Sequence, residues 1–185
     1  MTKFRIKLHN LLTRNKIADL FRRIRNYFFC LRYPFMKVYN VWTGKFCGYG
    51  FTEYDNISTG WQKAFGKKML KDIKKAYKLD KKDFPKLTWK KALRWEQIKS
   101  KYGTLRLYAS ATARIMDVLR KYEDMSSSYC ECCGRPSEYE TQGWIEFLCE
   151  RCFERDIRGS LGSKATKEEV EEKIKEAKEI CKIKP

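Results

Sequence analysis

Apolar residues recur along the 185-residue chain in periods that switch between helix and strand. Trp61, Phe65, Met69, Ile73 and Tyr77 return every fourth position and predict one buried stripe on a helix from about Gly60 to Leu79. Ser58 or Thr59 is placed to cap it, and Asp80 to Pro85 is expected to end it. Lys63, Lys67, Lys71, Lys74, Lys75 and Lys78 fill much of the remaining surface of that helix. Upstream, Phe4 to Phe28 reads as a basic amphipathic helix with a break near Thr13-Arg-Asn. Ile17, Leu20, Phe21, Ile24 and Phe28 share one side of it, and Arg22, Arg23 and Arg25 fall mostly elsewhere. Thr112 to Met125 predicts a third helix with Ile115, Leu119 and Tyr122 inward.

The period shortens to two elsewhere. Leu93 to Lys101 and Leu105 to Ala109 flank Tyr102-Gly103-Thr104 and predict a hairpin. Pro34 to Thr59 is rich in aromatic, glycine and β-branched residues, so Val38 to Trp42 and Phe46 to Tyr54 read as short strands or an ordered loop. Thr166-Lys-Glu-Glu169 is a capping box, and Val170, Ile174, Ala177 and Cys181 form a narrow stripe behind it. Glu169–Lys173 and Glu171–Lys175 are spaced to support that helix, whose default position is docked on the parent domain. The expected fold class is α+β: short helices and β-hairpins, with a C-terminal four-cysteine module. The expected organisation is a basic helical arm (1–33), an α+β core (34–125), the cysteine module (126–158), a linker (159–165) and a charged helix (166–185).

The cysteines carry the most specific chemistry. Cys130-x-x-Cys133 and Cys149-x-x-Cys152 stand 15 residues apart, which is the spacing of a four-thiolate zinc site. Four sulfurs suit a closed tetrahedral ion with a structural role, so one Zn2+ is expected. Gly134 can supply the sharp return of a knuckle. Trp144 to Leu148 reads as a strand entering the second pair, and the residues after Cys152 as a short helix stopped by Gly159. Knuckle, hairpin and helix suggest a treble clef, with a zinc ribbon as the other arrangement. Cys132 could stand in for Cys130, although the spacing favours Cys130 with Cys133. Two disulfides or four buried thiols are the competing readings. Cys30, Cys47 and Cys181 read as packing residues.

Charge is strongly asymmetric. The net charge is +18. Residues 1–34 hold nine Lys or Arg and one Asp, and residues 60–106 hold sixteen basic against four acidic groups. Residues 107–185 hold fourteen against sixteen. A basic front half of this size attracts phosphate on nucleic acid or nucleotides, or anionic lipid. Arg22, Arg23, Arg25, Lys67, Lys71, Lys74 and Lys75 are the expected phosphate contacts. Lys99, Lys101 and Arg106 join them because Trp95, Tyr102 and Tyr108 lie among them, and aromatic rings stack on bases. The arm itself admits three readings: a nucleic-acid arm, a membrane-surface helix, or a helix packed on its own core. The last is the plainest, and a membrane partner ranks low.

Few catalytic constellations are available. His9 is the sole histidine, which excludes His-ligated catalytic zinc and disfavours Ser-His or Cys-His pairs. No phosphate-binding G-x-x-x-x-G-K-[ST] loop occurs, and Gly48-Tyr-Gly50 is too short to be one. Asp72, Asp80, Asp83 and Glu96 lack nuclease-like spacing. The expectation is a protein that is not an enzyme. No apolar run approaches the roughly 20 residues of a membrane span. Lys3, Arg5 and Lys7 interrupt any signal-peptide core, and zinc-spaced cysteines suit a reducing compartment, so a cytoplasmic location in a bacterial host is expected.

From Tyr33 to Arg158 the motifs also resemble a family of small bacterial and phage proteins. They are Tyr33-Pro-Phe, Asn40-Val-Trp-Thr-Gly44, Thr59-Gly-Trp-Gln-Lys-Ala-Phe-Gly66, Gln97-Ile-Lys-Ser-Lys-Tyr-Gly-Thr-Leu-Arg106, Cys130-x-x-Cys133-Gly-Arg-Pro136, Gly143-Trp and the last cysteine pair. The resemblance implies the zinc site and a mobile-element origin, and it implies no reaction. The basic arm and the C-terminal helix are additions to the pattern. The leading expectation is a non-catalytic zinc protein that binds DNA or RNA through its phosphates. The alternative, by analogy with small phage proteins, is an inhibitor of a host defence system such as a CRISPR nuclease or nucleotide signalling. It would act by binding a protein complex or a nucleotide.

Overall fold

The computed structural model describes residues 2–40, 42–162 and 165–183, with side chains from residue 16 onward. Val41 of the expected strand 38–42, the side chain of His9, and residues 163–164 and 184–185 lie outside the described residues. The fold is mixed α and β, with two small antiparallel sheets. It divides into two compact units, Met1–Asn56 and Ile57–Pro185. That boundary falls inside the expected 34–125 core, not at 33/34.

In the first unit, α1 spans Thr2–Arg32 without the expected break near Thr13. The 3-10 turns Pro34–Met36 and Glu53–Asn56 follow. The expected strands in 38–54 reduce to two single antiparallel bridges, Lys37 to Thr52 and Tyr39 to Phe46. The aromatic residues make this segment an ordered loop: Tyr27 meets Tyr49, Phe29 meets Tyr54, and the Asn26 amide donates to the Tyr49 carbonyl at 2.9 Å.

The second unit begins with a continuous helical run. It comprises α2 (Thr59–Trp61), a π-helical turn (Gln62–Gly66) and α3 (Lys67–Asp83). The π turn explains the four-residue spacing. A regular α-helix turns about 100° per residue, so each step of four drifts about 40°. A wider turn between Trp61 and Phe65 absorbs drift, and the whole stripe Trp61, Phe65, Met69, Ile73 and Tyr77 is buried. The helix ends at Asp83, inside the Asp80–Pro85 stretch expected to stop it. Asp80 is buried, accepts from Thr112 Oγ1 at 2.5 Å and Arg114 Nη1 at 2.9 Å, and so is satisfied inside the helix.

After the short α4 (Trp89–Ala92) come β1 (Leu93–Lys101) and β2 (Thr104–Ala111), antiparallel, with a register shift between Trp95 and Gln97. The two-residue loop has positive φ at both Tyr102 (52°) and Gly103 (68°), the signature of the turn that matches strand twist. α5 (Ala113–Ser126) follows. Its stripe Ile115, Leu119 and Tyr122 is fully buried, and α5 packs on both α3 and β2. It also closes the free edge of β2. The Leu105 amide donates to Ser126 Oγ at 2.9 Å and the Leu107 amide to Glu123 Oε1 at 2.6 Å, so those edge groups are not left open for another strand.

The C-terminal part holds β3 (Tyr139–Glu140), β4 (Phe147–Leu148), α6 (Glu150–Leu161) and α7 (Lys167–Cys181). The expected strand 144–148 keeps only its last two residues, and Trp144 is exposed. Gly159 does not stop α6, which ends two residues on, at Leu161, before Gly162 with φ 72°. The Thr166–Glu169 capping box forms in full. The expected pairs within α7 do not form. Glu169 closes the cap, and Lys173 binds Glu176 at 2.8 Å within the helix. Between the two helices, Lys178 Nζ binds Glu150 at 2.6 Å and Glu154 at 2.5 Å, and Glu171 binds Arg158 at 2.8 Å. These contacts dock α7 on α6, because i,i+4 pairs on an exposed helix are worth only about 0.3–0.5 kcal/mol and yield to a partner helix.

Two glycines test the packing in opposite directions. A Cβ on Gly60 would lie 2.2 Å from the Cys130 carbonyl oxygen and 2.3 Å from that of Glu131. Gly60→Ala is expected to destabilise the second unit by about 2–3 kcal/mol, as overpacking does, visible as a lower denaturation midpoint. At Gly159, inside α6, a Cβ meets nothing within 4 Å. Gly159→Ala is expected to stabilise by about 0.5–1 kcal/mol through helix propensity alone.

Candidate metal centre and basic surfaces

The sulfurs of Cys130, Cys133, Cys149 and Cys152 lie within 4.8 Å of one another. Four sulfurs held about 2.3 Å from a central ion stand about 3.8 Å apart, so the cluster has the dimensions of a tetrathiolate site. The Cys133–Cys149 sulfur separation is 3.4 Å, and all eight cysteines are unbridged. Disulfide bonds need about 2.05 Å. Cys132 is outside the cluster, so Cys130 is the member from the first pair alongside Cys133. This donor set could hold one metal ion, and its all-sulfur chemistry and burial are compatible with structural zinc.

Each half of the site is built by local backbone. Residues 130–134 form a knuckle: the Cys130 amide donates to the Arg135 carbonyl at 2.7 Å and the Gly134 amide to the Cys130 carbonyl at 2.9 Å. Gly134 has φ 82°, which glycine adopts without strain. Cys149 is the N-cap of α6, and Cys152 sits in its first turn. Helix N-termini favour thiolates, because unpaired amides and the helix dipole face the sulfur. Burial pushes the Cys149 and Cys152 thiols up. Burial raises Cys133 as well, but hydrogen bonds from the Arg135 backbone and the neighbouring thiols win and bring it down to about 7. A bound divalent ion supplies the positive charge that the other buried thiolates need. Tyr139 stacks on Phe153 at 4.6 Å, and Ala177 and Cys181 of α7 pack against the same cluster.

Glu131, which nothing in its sequence position marks, ties the knuckle to the rest of the unit. Ser58 Oγ donates to Glu131 Oε1 at 2.6 Å and Ser100 Oγ to Oε2 at 3.0 Å. The Gly60 amide donates to the Glu131 carbonyl at 2.8 Å. Trp61 Nε1 donates to the Ser126 and Tyr129 carbonyls at 3.0 and 3.2 Å. Ser58 therefore precedes α2 without capping it; its hydroxyl is spent on the knuckle. At the other side, Gly103 is packed so closely that a Cβ would lie 2.8 Å from the Phe147 ring. The helix start, the hairpin tip and the strands of the cysteine module all converge here.

The expected phosphate contacts fall on three elements. Lys67, Lys71, Lys74, Lys75 and Lys78 occupy one side of α3, within about 100° of arc and opposite the buried stripe. Among the described residues, Lys67, Lys71, Lys75 and Lys78 make no ion pair, whereas Lys68 is held by Asp72 at 3.0 Å. On the hairpin, Lys99 stands directly opposite Arg106, and Lys101 opposite Thr104, on the face away from buried Ile98 and Leu107. Lys99 lies over the Tyr108 ring at 5.4 Å and Lys101 over Tyr102 at 5.2 Å. An open groove of about 480 Å³ runs beside them, lined by Lys101, Arg106, Tyr102 and Tyr108, with Glu96 and Glu123. The α1 arginines differ. Arg22 binds Asp19, Arg23 Nε binds Asp19 at 2.7 Å, and Arg25 reaches Asn26 Oδ1. These ties hold the Asp19 carboxyl below its usual range, Arg23 first and Arg22 second.

The metal centre gives a direct prediction. Purified protein is expected to contain one zinc per chain by elemental analysis, and a strong chelator is expected to lower its unfolding temperature. Cys133→Ser is expected to lose the metal and at least about 4 kcal/mol of stability, on the order of 10 °C. Because metal binding requires thiolates, the affinity falls as pH falls and protons return to the sulfurs. Retention of zinc should therefore decline as the pH is lowered, measured as metal released to an indicator dye. A metal-free protein with unchanged stability in chelator contradicts this assignment. Comparison with models of known families, with curated proteins and with solved structures finds no match for the chain.

Proposed function

We propose that this chain is a non-catalytic, zinc-stapled protein that binds nucleic acid through its phosphates. In this reading the knuckle, the β3–β4 hairpin and α6 make a treble-clef module, and the ion in it is structural zinc with no open coordination position. The single observation that carries the proposal is the α3 lysine stripe. Lysines 67, 71, 75 and 78 crowd one face with no carboxylate among the described residues to neutralise them. Like charges at i,i+4 destabilise a helix, so the arrangement costs stability unless an anion relieves it. The stripe runs about 16 Å, against about 3.4 Å of axial rise per phosphate on one strand, so it can follow several phosphates.

The hairpin supports the same reading. Lys99 and Arg106 are like charges directly across the strands, which also costs stability in isolation. Tyr102 and Tyr108 sit beside them, next to the groove, and offer ring faces for unstacked bases. Single-stranded DNA or RNA therefore fits this element better than a closed duplex. The inhibitor reading rests on motif resemblance and analogy. A pull-down from host lysate, with and without nuclease, separates a protein target from a nucleic-acid one.

A mobility-shift titration with random-sequence single-stranded DNA and RNA tests the leading proposal. Log affinity should fall linearly with log salt, with a slope of about −0.7 per phosphate neutralised. The triple charge reversal Lys67→Glu, Lys71→Glu, Lys75→Glu should weaken binding at least about tenfold and flatten the slope by about two to three phosphates' worth. No retardation at about 50 mM salt, or an unchanged slope in the triple variant, sinks the idea.

A further inference from the structure

The apolar stripe of α1 is not buried. Ile17, Leu20, Phe21, Ile24, Tyr27, Phe28 and Leu31 are all exposed, from 42% at Tyr27 to 68% at Phe21. At about 100° per residue they fill an arc of about 120°. The opposite side is the one that is buried: Asn26 and Cys30 lie there, and Phe29 beside them contacts Tyr54. Basic groups border the exposed arc on both edges, with Arg25 and Arg32 on one and Lys16 and Arg23 on the other. This corrects the plainest sequence reading, in which the stripe packs on the chain's own core.

We infer that this face of α1 docks on an anionic phospholipid surface, lying in the plane of the interface. An apolar arc flanked by cations is the geometry of an interfacial helix. The aliphatic stems of Arg25 and Lys16 can run along the apolar arc while their charged heads reach lipid phosphates. Charge decides against the main competitor, a second copy of the chain. Residues 1–34 carry nine basic groups and one acidic group, so pairing two α1 helices would bring two strongly cationic segments together. The same charge is attracted to an anionic leaflet, at about 1 kcal/mol per basic residue near the surface. The helix lies on the membrane and does not cross it: among the described residues, no helix is long and apolar enough to span one.

Full-length protein sedimented with unilamellar vesicles is the test. Binding is expected with about 30 mol% phosphatidylserine at about 100 mM salt, and at least about tenfold weaker binding with neutral phosphatidylcholine alone. The double variant Phe21→Asp, Phe28→Asp should lose at least about tenfold of the vesicle affinity. Both residues are exposed, so its unfolding temperature and its nucleic-acid binding should stay unchanged. The Lys67, Lys71, Lys75 triple reversal should retain vesicle binding. Three outcomes overturn the inference. One is no sedimentation with anionic vesicles. Another is vesicle binding that survives the Phe variant but not the Lys variant, which marks unspecific charge attraction. The third is a concentration-dependent dimer that the Phe variant abolishes while vesicles bind neither form. None of these depends on whether nucleic acid binds.

Discussion

The carbonyl oxygens of Cys130 and Glu131 occupy the space where residue 60 would otherwise carry a Cβ, and the second unit is organised around that close approach. It lets the Gly60 amide bond the Glu131 carbonyl, puts Ser58 within reach of the Glu131 carboxylate, and brings the Trp61 indole under the Ser126 and Tyr129 carbonyls. Few apolar contacts are available to a module with strands of two residues each. A four-sulfur centre compensates by fixing the knuckle and α6 at one point, and the hydrogen bonds to Glu131 pass that rigidity to α2 and the hairpin. An ion held by these sulfurs would join knuckle and helix start into one cooperative assembly in which loss of any part exposes the others.

Within the second unit, the packing of α3 on α5 explains the uncompensated charge of α3. The α3 lysines project from the side opposite a buried stripe of large residues, and Asp72 and Asp80, the acidic groups within that helix before its last turn, are drawn away from them. Asp72 serves Tyr122, Lys68 and Lys121, and Asp80 serves Thr112 and Arg114. Acids that could quench the lysine stripe are used as internal ties between α3 and α5. The positive surface is what remains, and it is available to an external anion.

The first unit follows a different logic. Its helix turns the polar Asn26 and the small Cys30 inward and larger apolar groups outward. Ordinary surfaces do not present that many adjacent apolar side chains, so the face is read through the partner that can cover it. Arg22 and Arg23 spend much of their donor capacity on Asp19, which fits them less to direct phosphate contact than the lysines of α3.

Much of this was legible in the residues. The every-fourth spacing from Trp61 to Tyr77, the hairpin about Tyr102-Gly103 and the Thr166–Glu169 capping box are local signals, and each formed as read because its cause lies within a few neighbouring residues; the two cysteine pairs also meet, as a cluster that could hold a metal ion. Three things were not legible. The end of α6 passed its expected stop, since Gly159 met no competing demand, and Asp80 found distant partners in Thr112 and Arg114. Glu131 became a hub through contacts some thirty and seventy residues away. The direction in which the α1 stripe faces was reversed from the plainest expectation. Periodicity determines that a helix has an apolar side; only tertiary packing decides whether that side is covered, because burial depends on what else the fold brings to it and not on the helix itself.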